Sequence, residues 1–271
     1  MGSANQITEA ELRELGTPEL GIQYVLDVCH SPPARKVGRR RRRNLVLDVP
    51  MEHLGVMLQG ESLSGEYLFL VELDRRDDLR AVYDQPLSVP LSIVDSAGRK
   101  TRINYTADYL VVEPNCVRVY EIKRDNELKY LLRTRPSDWQ YDAHGYHYLP
   151  AITYFARLGI EHITVPSSSL SAIRADNLRL LASSKRSVET RHLRKMCEVI
   201  RQIVECEGAI KAGEILDRIE EVDATAILQL IDKEVVFADL DKIFLSDIRE
   251  VWIAASQNVA NMLQETDQNL S

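Results

Sequence analysis

The sequence predicts a mixed α/β fold, a mixed sheet flanked by helices, followed by a smaller and mostly helical C-terminal domain. Three observations carry this. Residues 105–123, YTADYLVVEPNCVRVYEIK, hold two apolar runs around a Glu-Pro-Asn-Cys turn and read as a β-hairpin. Helical patterns precede and follow that hairpin, and a further short apolar run, IEHITVP, follows the second of them. Beyond about residue 185 the strand signals thin out and amphipathic helical stretches take over.

The elements follow in chain order. TEAELRELG and IQYVLDVC give a short helical stretch and an apolar run within residues 8–29, and LVLDVPMEHLGVMLQ reads as loop or weak strand interrupted by Pro50. SLSGEYLFLVELDRR, residues 62–76, reads as a helix with Tyr67, Leu70 and Val71 at i, i+3 and i+4 and Leu63 extending that face. AVYDQPLSVPLSIV is a strand pair, or one strand broken by Pro86 and Pro90. After the hairpin, DAHGYHYLPAITYFARLG predicts a helix ending at Gly159, and IEHITVP a strand ending at Pro166. VETRHLRKMCEVIRQIVECEG is a long amphipathic helix stopped by Gly208, then come KAGEILDRIEEV, DATAILQLIDKEV and a two-stranded wing in VVFADLDKIFL. Three helices and a wing predict a winged-helix-like module; an unspecialised helical bundle fits the same pattern.

Composition bounds the function class. With 271 residues, 45% hydrophobic and 28% charged, the chain is an ordinary globular protein with room for two domains. It has no 18-residue apolar run and no secretory pattern at its N-terminus, which leads us to expect a cytoplasmic protein. Cys29, Cys116, Cys197 and Cys206 form no CxxC pair and are expected to be reduced, small buried hydrophobes. Charge is segregated within the net −7. Arg35, Lys36, Arg39, Arg40, Arg41, Arg42 and Arg43 form a basic arm without an acidic residue, and residues 203–271 carry 15 acidic against 5 basic ones. The arm is either a solvated tail or a contact to phosphate backbone.

A turn centred on Pro114-Asn115 sets a pairing in which opposed residue numbers sum to 229. Pro suits a two-residue type I′ turn poorly, so a four-residue loop fits better. Asp108 then falls opposite Glu121, with Cβ atoms about 5 Å apart on one face. Leu110, Val112, Val117 and Val119 share that face, and Lys123 continues it. Tyr109, Val111, Tyr120 and Ile122 take the other face, so both faces are apolar and the strands are central and covered. Two adjacent carboxylates repel unless something compensates. A hard divalent cation does so, taking one or two carboxylates and completing its shell with water and phosphate. A Lys123 salt bridge at a solvent-exposed strand end is the simpler alternative. His144 and His147 are i, i+3 in HGYH, but with no third nitrogen or sulfur ligand nearby they are structural or DNA-facing.

Asp108, then Glu121-Ile122-Lys123 across a hairpin, with Glu66 on a preceding helix, resembles the PD-(D/E)xK nuclease core. The order ARKV, SLSGE, YDQP, YTADYL, then LGIEHITV and NLRLL with Asn177, resembles more specifically the TnsA-like endonuclease subunits of heteromeric Tn-type transposases. The likeness is good over residues 32–183 and looser beyond. Ala107 stands where the family often has Pro, and Glu121 where some members have Gln. The resemblance implies a restriction-endonuclease-like core at 32–184 with the basic arm at 35–43, an N-terminal extension at 1–31, and a partner-binding domain at 185–271. It implies a Mg²⁺- or Mn²⁺-dependent DNA endonuclease that cuts the 5′ ends of a transposon. Asp108, Glu121 and the Ile122 backbone carbonyl would hold the metal. Lys123 would orient the attacking water or stabilise phosphorane charge. Glu66, with Glu61 as the fallback, would hold a second metal or its water. Gln85 would contact phosphate or serve the turn before Pro86. The implied partners are transposon-end DNA, a TnsB-like DDE transposase and a TnsC-like AAA+ regulator in a bacterial cytoplasm, with no membrane. A stand-alone restriction or repair endonuclease and a non-catalytic DNA-binding assembly protein are the alternatives.

Overall fold

The computed structural model describes residues 5–35, 47–60, 62–94, 98–185 and 191–270. The chain divides into two compact units, Met1–Leu170 and Ser171–Ser271.

The first unit begins with α1 (Glu9–Glu14) and α2 (Glu19–His30), then a hairpin of β1 (Leu47–Met51) and β2 (Val56–Gly60), and α3 (Glu66–Asp74). The strands β3 (Ala81–Asp84), β4 (Val89–Val94), β5 (Lys100–Tyr105), β6 (Tyr109–Val112) and β7 (Val117–Lys123) follow. Next come α4 (Asp125–Thr134), β8 (Trp139–Asp142), β9 (Gly145–Tyr148), α5 (Leu149–Ala156) and β10 (Glu161–Pro166). The central sheet has the order β10-β7-β6-β3, with β10 parallel to β7 and the other pairs antiparallel, so it is a mixed sheet. The pairs β1–β2, β4–β5 and β8–β9 stand beside it as separate hairpins.

The β6–β7 register is Tyr109↔Tyr120 through Val112↔Val117, the pairing expected from the sequence. Pairing stops there, leaving residues 113–116 as a four-residue connection closed by the Glu113 N–H on the Cys116 carbonyl at 2.9 Å. The two sheet faces are buried in different layers, as alternation requires. Leu110, Val112, Val117 and Val119 pack with α1, α2, α5 and the β4–β5 hairpin, around Leu12, Ile22, Val25, Leu91 and Phe155. Tyr109, Val111 and Tyr120 pack with α3 and the β1–β2 hairpin, around Met51, Leu58, Phe69 and Leu70.

Of residues 1–31, expected as an extension, the described ones from Asn5 onward are instead part of this core: Leu12, Ile22, Val25 and Val28 are buried in it. Asn5 donates its amide to the Val82 carbonyl at 2.9 Å and accepts the Val82 N–H at 2.8 Å, satisfying the outer edge of β3. Helix α3 also differs from the expected one-sided face. Leu68, Phe69, Leu70, Val71 and Leu73 are all buried, because the β1–β2 hairpin covers the side turned from the sheet, whereas Leu63 precedes the helix and is exposed.

The second unit holds α6 (Ala172–Lys185), α7 (Arg191–Glu207), β11 (Ala209–Lys211), α8 (Ala212–Arg218), α9 (Ala224–Asp232), β12 (Trp252–Ala254) and α10 (Gln257–Leu270). The boundary thus falls after Leu170 rather than after 184, and α6 joins the C-terminal unit. The wing expected in residues 235–245 does not form; β11 pairs with β12, and Phe237 makes a single bridge to Ala254. Side chains satisfy that segment's backbone in place of a partner strand. Asp239 accepts the N–H groups of Asp241 and Lys242. The Asn177 amide donates to the Leu240 and Ile243 carbonyls and accepts the Leu245 N–H. None of the four cysteines is in a disulfide; Cys29, Cys116 and Cys197 are half-buried and Cys206 is exposed, rather than buried as expected. Among the described residues no helix is long and apolar enough to cross a membrane.

Candidate active site

The end of the β6–β7 hairpin opens into a polar cleft of about 420 Å³. Its lining includes Asp108, Glu121, Lys123, Glu66, Arg35 and Arg124. The structure therefore brings together the four acidic and basic residues expected to be catalytic, from β7, the β5–β6 connection and the start of α3.

Regular pairing ends at Tyr109, and Asp108 departs from it. Its N–H donates to the Tyr120 carbonyl at 2.9 Å, one residue short of Glu121 in the hairpin register. The Ile122 N–H is thereby left to the Asp108 carboxylate, which accepts it at 2.7 Å. Asp108 and Glu121 are each 6% exposed. Glu121 is engaged at both oxygens, by the Lys123 ammonium at 2.5 Å on Oε1 and by the Tyr105 hydroxyl at 2.7 Å on Oε2. Lys123 also reaches Glu127 at 3.4 Å. The salt bridge weighed as the alternative is therefore present, but in a nearly buried setting rather than at a solvated strand end.

Burial, then the charges of Glu121 and Glu66, hold the Asp108 carboxyl well above the usual carboxylate range; the Ile122 N–H and Lys123 oppose this. Burial works against the Lys123 charge, but Glu121, then Glu127 and Asp108, outweigh it and raise the ammonium's pKa. Burial pushes the neighbouring His162 imidazole down to about 4.

Glu66 opens α3, and Gly65 lets that helix start against the sheet, since a Cβ there would lie 3.1 Å from Ile122 Cγ2. Its charge is felt by Asp108 and by the Tyr109 hydroxyl. Yet among the described residues no three His, Cys, Asp or Glu side chains are grouped so as to hold one ion. Glu66 nevertheless lines the same cleft as Asp108 and Glu121. The oxygen donors at the hairpin end, Asp108, Glu121 and the Ile122 carbonyl, suit a hard cation that keeps several waters. Burial, and after it the charges of Glu121 and Glu66, disfavour the ionised Asp108, and such a cation would offset both. Glu61 lies outside the described residues.

Gln85 is 3% exposed, and what the structure shows for it is the turn role. At φ 44° it turns the chain before Pro86, takes the Ala34 N–H on its carbonyl at 2.8 Å and donates its own N–H to the Asp108 carbonyl at 2.8 Å. Its side-chain oxygen accepts Arg35 Nε at 2.7 Å, which sets the guanidinium 3.7 Å from Asp108 Oδ1. Gln85 is a holder for Arg35. The rest of the basic arm, Lys36 and Arg39 to Arg43, lies outside the described residues. His147 bonds to Asp142 at 2.8 Å, and neither it nor His144 lines the cleft.

Tyr105, Arg124 and His162 went unnoticed in the sequence. A histidine within the apolar run IEHITVP was the signal for the last. No family model matches the chain, and no curated protein matches it either.

Proposed function

We propose that this chain is a metal-dependent DNA endonuclease, the subunit of a heteromeric transposase that hydrolyses the 5′ ends of transposon DNA. The observation that carries the reading is the buried Asp108–Glu121 pair, loaded with Lys123 at the mouth of a polar cleft. With every lining side chain ionised, four acidic residues (Glu66, Asp108, Glu121 and Glu127) face three basic ones (Arg35, Lys123 and Arg124). One divalent cation would reverse that net single negative charge and match a phosphodiester. A neutral or anionic ligand without a metal would find no such match.

Mg²⁺ or Mn²⁺ held by Asp108, Glu121 and the Ile122 carbonyl would polarise a phosphoryl oxygen and acidify bound water. To serve as a ligand Asp108 would release its proton to solvent. Lys123, kept charged by its carboxylate neighbours, faces the reacting phosphate and stabilises charge that develops there. Arg35, steadied by Gln85, and Arg124 hold flanking phosphates, and the basic arm extends that contact along the duplex. The restriction-endonuclease-like fold fits the mixed sheet with this site at one strand end. The acidic second unit keeps a winged-helix-like order of helices around the short β11–β12 pair, although residues 235–245 form no strand pair of their own. It suits protein partners, a DDE transposase of the TnsB kind and a TnsC-like AAA+ regulator, better than DNA.

The test is Mn²⁺ titration calorimetry on the wild type and Asp108→Ala, followed by strand cleavage of end-bearing DNA with the cognate DDE transposase. Binding and 5′-strand cuts should both vanish in the variant. Nicking of naked plasmid by the chain alone would favour a stand-alone nuclease. Absence of Mn²⁺ binding by the wild type, with and without DNA, would overturn the reading.

A further inference from the structure

We propose that Tyr105 and His162 form a buried hydrogen-bonded chain that fixes the orientation of the Glu121 carboxylate, making both of them positioning residues for the metal site. The proposal rests on the reading of Glu121 as a metal ligand.

The three groups lie in line. The Tyr105 hydroxyl is 2.7 Å from Glu121 Oε2 and 2.9 Å from His162 Nε2. A phenol carries one proton, and a carboxylate can only accept, so that proton points to Glu121. The phenol oxygen must then accept from His162, which requires the Nε2–H form of the ring. In that form Nδ1 is a bare acceptor. It is buried and has no hydrogen-bond partner.

An unpaired buried acceptor is destabilising, because it loses its hydrogen bond to water without gaining another. The site does not demand a histidine for packing. His162 sits between the rings of Phe155, Tyr148 and Tyr105, with Phe155 stacked at 21° and 6.2 Å. A phenylalanine would fill that space without an orphaned nitrogen. What the imidazole adds is its donor to Tyr105, and what Tyr105 adds is a rigid grip on Oε2 from inside the core. Oε1, the oxygen shared with Lys123, is then the one available to a cation. Partners of this kind behind a metal ligand typically contribute about 10–100-fold in metal affinity.

Three full-length variants decide it: Tyr105→Phe, His162→Phe and the double substitution, each checked for fold by thermal unfolding. In Mn²⁺ titration calorimetry, Tyr105→Phe should weaken binding about tenfold. His162→Phe should weaken it less, and the double variant no more than Tyr105→Phe, because the histidine acts through the tyrosine. Nitrogen-15 NMR of the metal-free wild type should show His162 as the Nε2–H tautomer. Should Tyr105→Phe not fold, a lowered affinity in His162→Phe carries the test. Wild-type affinity in the single variants overturns the positioning role and leaves the metal reading standing. An Nδ1–H tautomer overturns the chain itself. No Mn²⁺ binding by the wild type overturns the metal reading and the positioning role with it.

Discussion

Acid stability offers the sharpest physical test of the buried His162. The imidazole is 6% exposed, and its pKa falls from about 6.5 to about 4, chiefly because burial penalises the cation; the Glu121 charge opposes the shift and Lys123 assists it. Between those two values the unfolded chain binds a proton that the folded chain refuses, so stability must fall as pH falls. The histidine's contribution is complete above about pH 6.5 and gone once the pH has dropped through the folded value. The full span amounts to about 3 kcal/mol, at up to roughly 1.4 kcal/mol per pH unit. His162→Phe has no proton to take up. Trp139 is buried in the same layer as His162, and the only other tryptophan, Trp252, belongs to the second unit. In a Trp252→Phe background, tryptophan fluorescence therefore follows unfolding of the first unit alone. Urea midpoints from pH 7.5 to 4.5 should show the wild type losing about three quarters of that amount relative to His162→Phe. Parallel curves, or an NMR titration placing His162 above pH 6, would refute a neutral buried ring.

Three further outcomes follow from the same structure. Asp108 holds its proton more tightly folded than unfolded, so its contribution is intact below about pH 4 and lost as pH rises. Asp108→Asn should therefore melt higher than the metal-free wild type, by a margin that widens toward alkaline pH, and Mn²⁺ should raise only the wild type's melting temperature. Gly21→Ala drives a Cβ into the Leu158 carbonyl oxygen and should cost about 3 kcal/mol in chemical denaturation, because backbone cannot retreat as a side chain can. Asn177→Ala leaves two carbonyls and one N–H without their partner; about 2–4 kcal/mol of local stability should vanish. Hydrogen exchange should rise at residues 240–245 with no change in the β6–β7 hairpin.

The hairpin register was legible because the turn chemistry and the two-residue alternation agree, and together they leave one pairing that buries both faces. The charged residues at its end were legible for the same reason. Other elements carry weaker signals. Helix α4 is short and only Leu128 is fully buried, yet Leu131 and Leu132 stand at i+3 and i+4 from it and mark the same packed face. Strand β4 alternates buried and exposed residues, but Pro90 hides it; proline is tolerated there because β4 pairs on one edge only. The missing wing depends on Asn177, some 60 residues upstream, and no local pattern reports that. The Tyr105–His162 pair is likewise made by tertiary structure, through the parallel pairing that sets His162 beside Val119.

The two carboxylates at the hairpin end are held by different means, and the difference suggests a division of tasks. Glu121 is clasped at both oxygens by side chains within or bordering the core, Tyr105 and Lys123. Asp108 has a backbone N–H on one oxygen and, beyond hydrogen-bond distance, the largely exposed Arg35 near the other. Burial and its carboxylate neighbours make Asp108 the member that takes up a proton when no cation is present. Glu121 would then supply a fixed oxygen around which the site is organised, and Asp108 the adjustable one that exchanges a proton for the metal. On this view metal affinity should fall with acidification through Asp108, and should depend on carboxylate orientation through Glu121. Asp108→Asn and Tyr105→Phe would both weaken Mn²⁺ binding, but only Asp108→Asn would abolish the proton release that accompanies it.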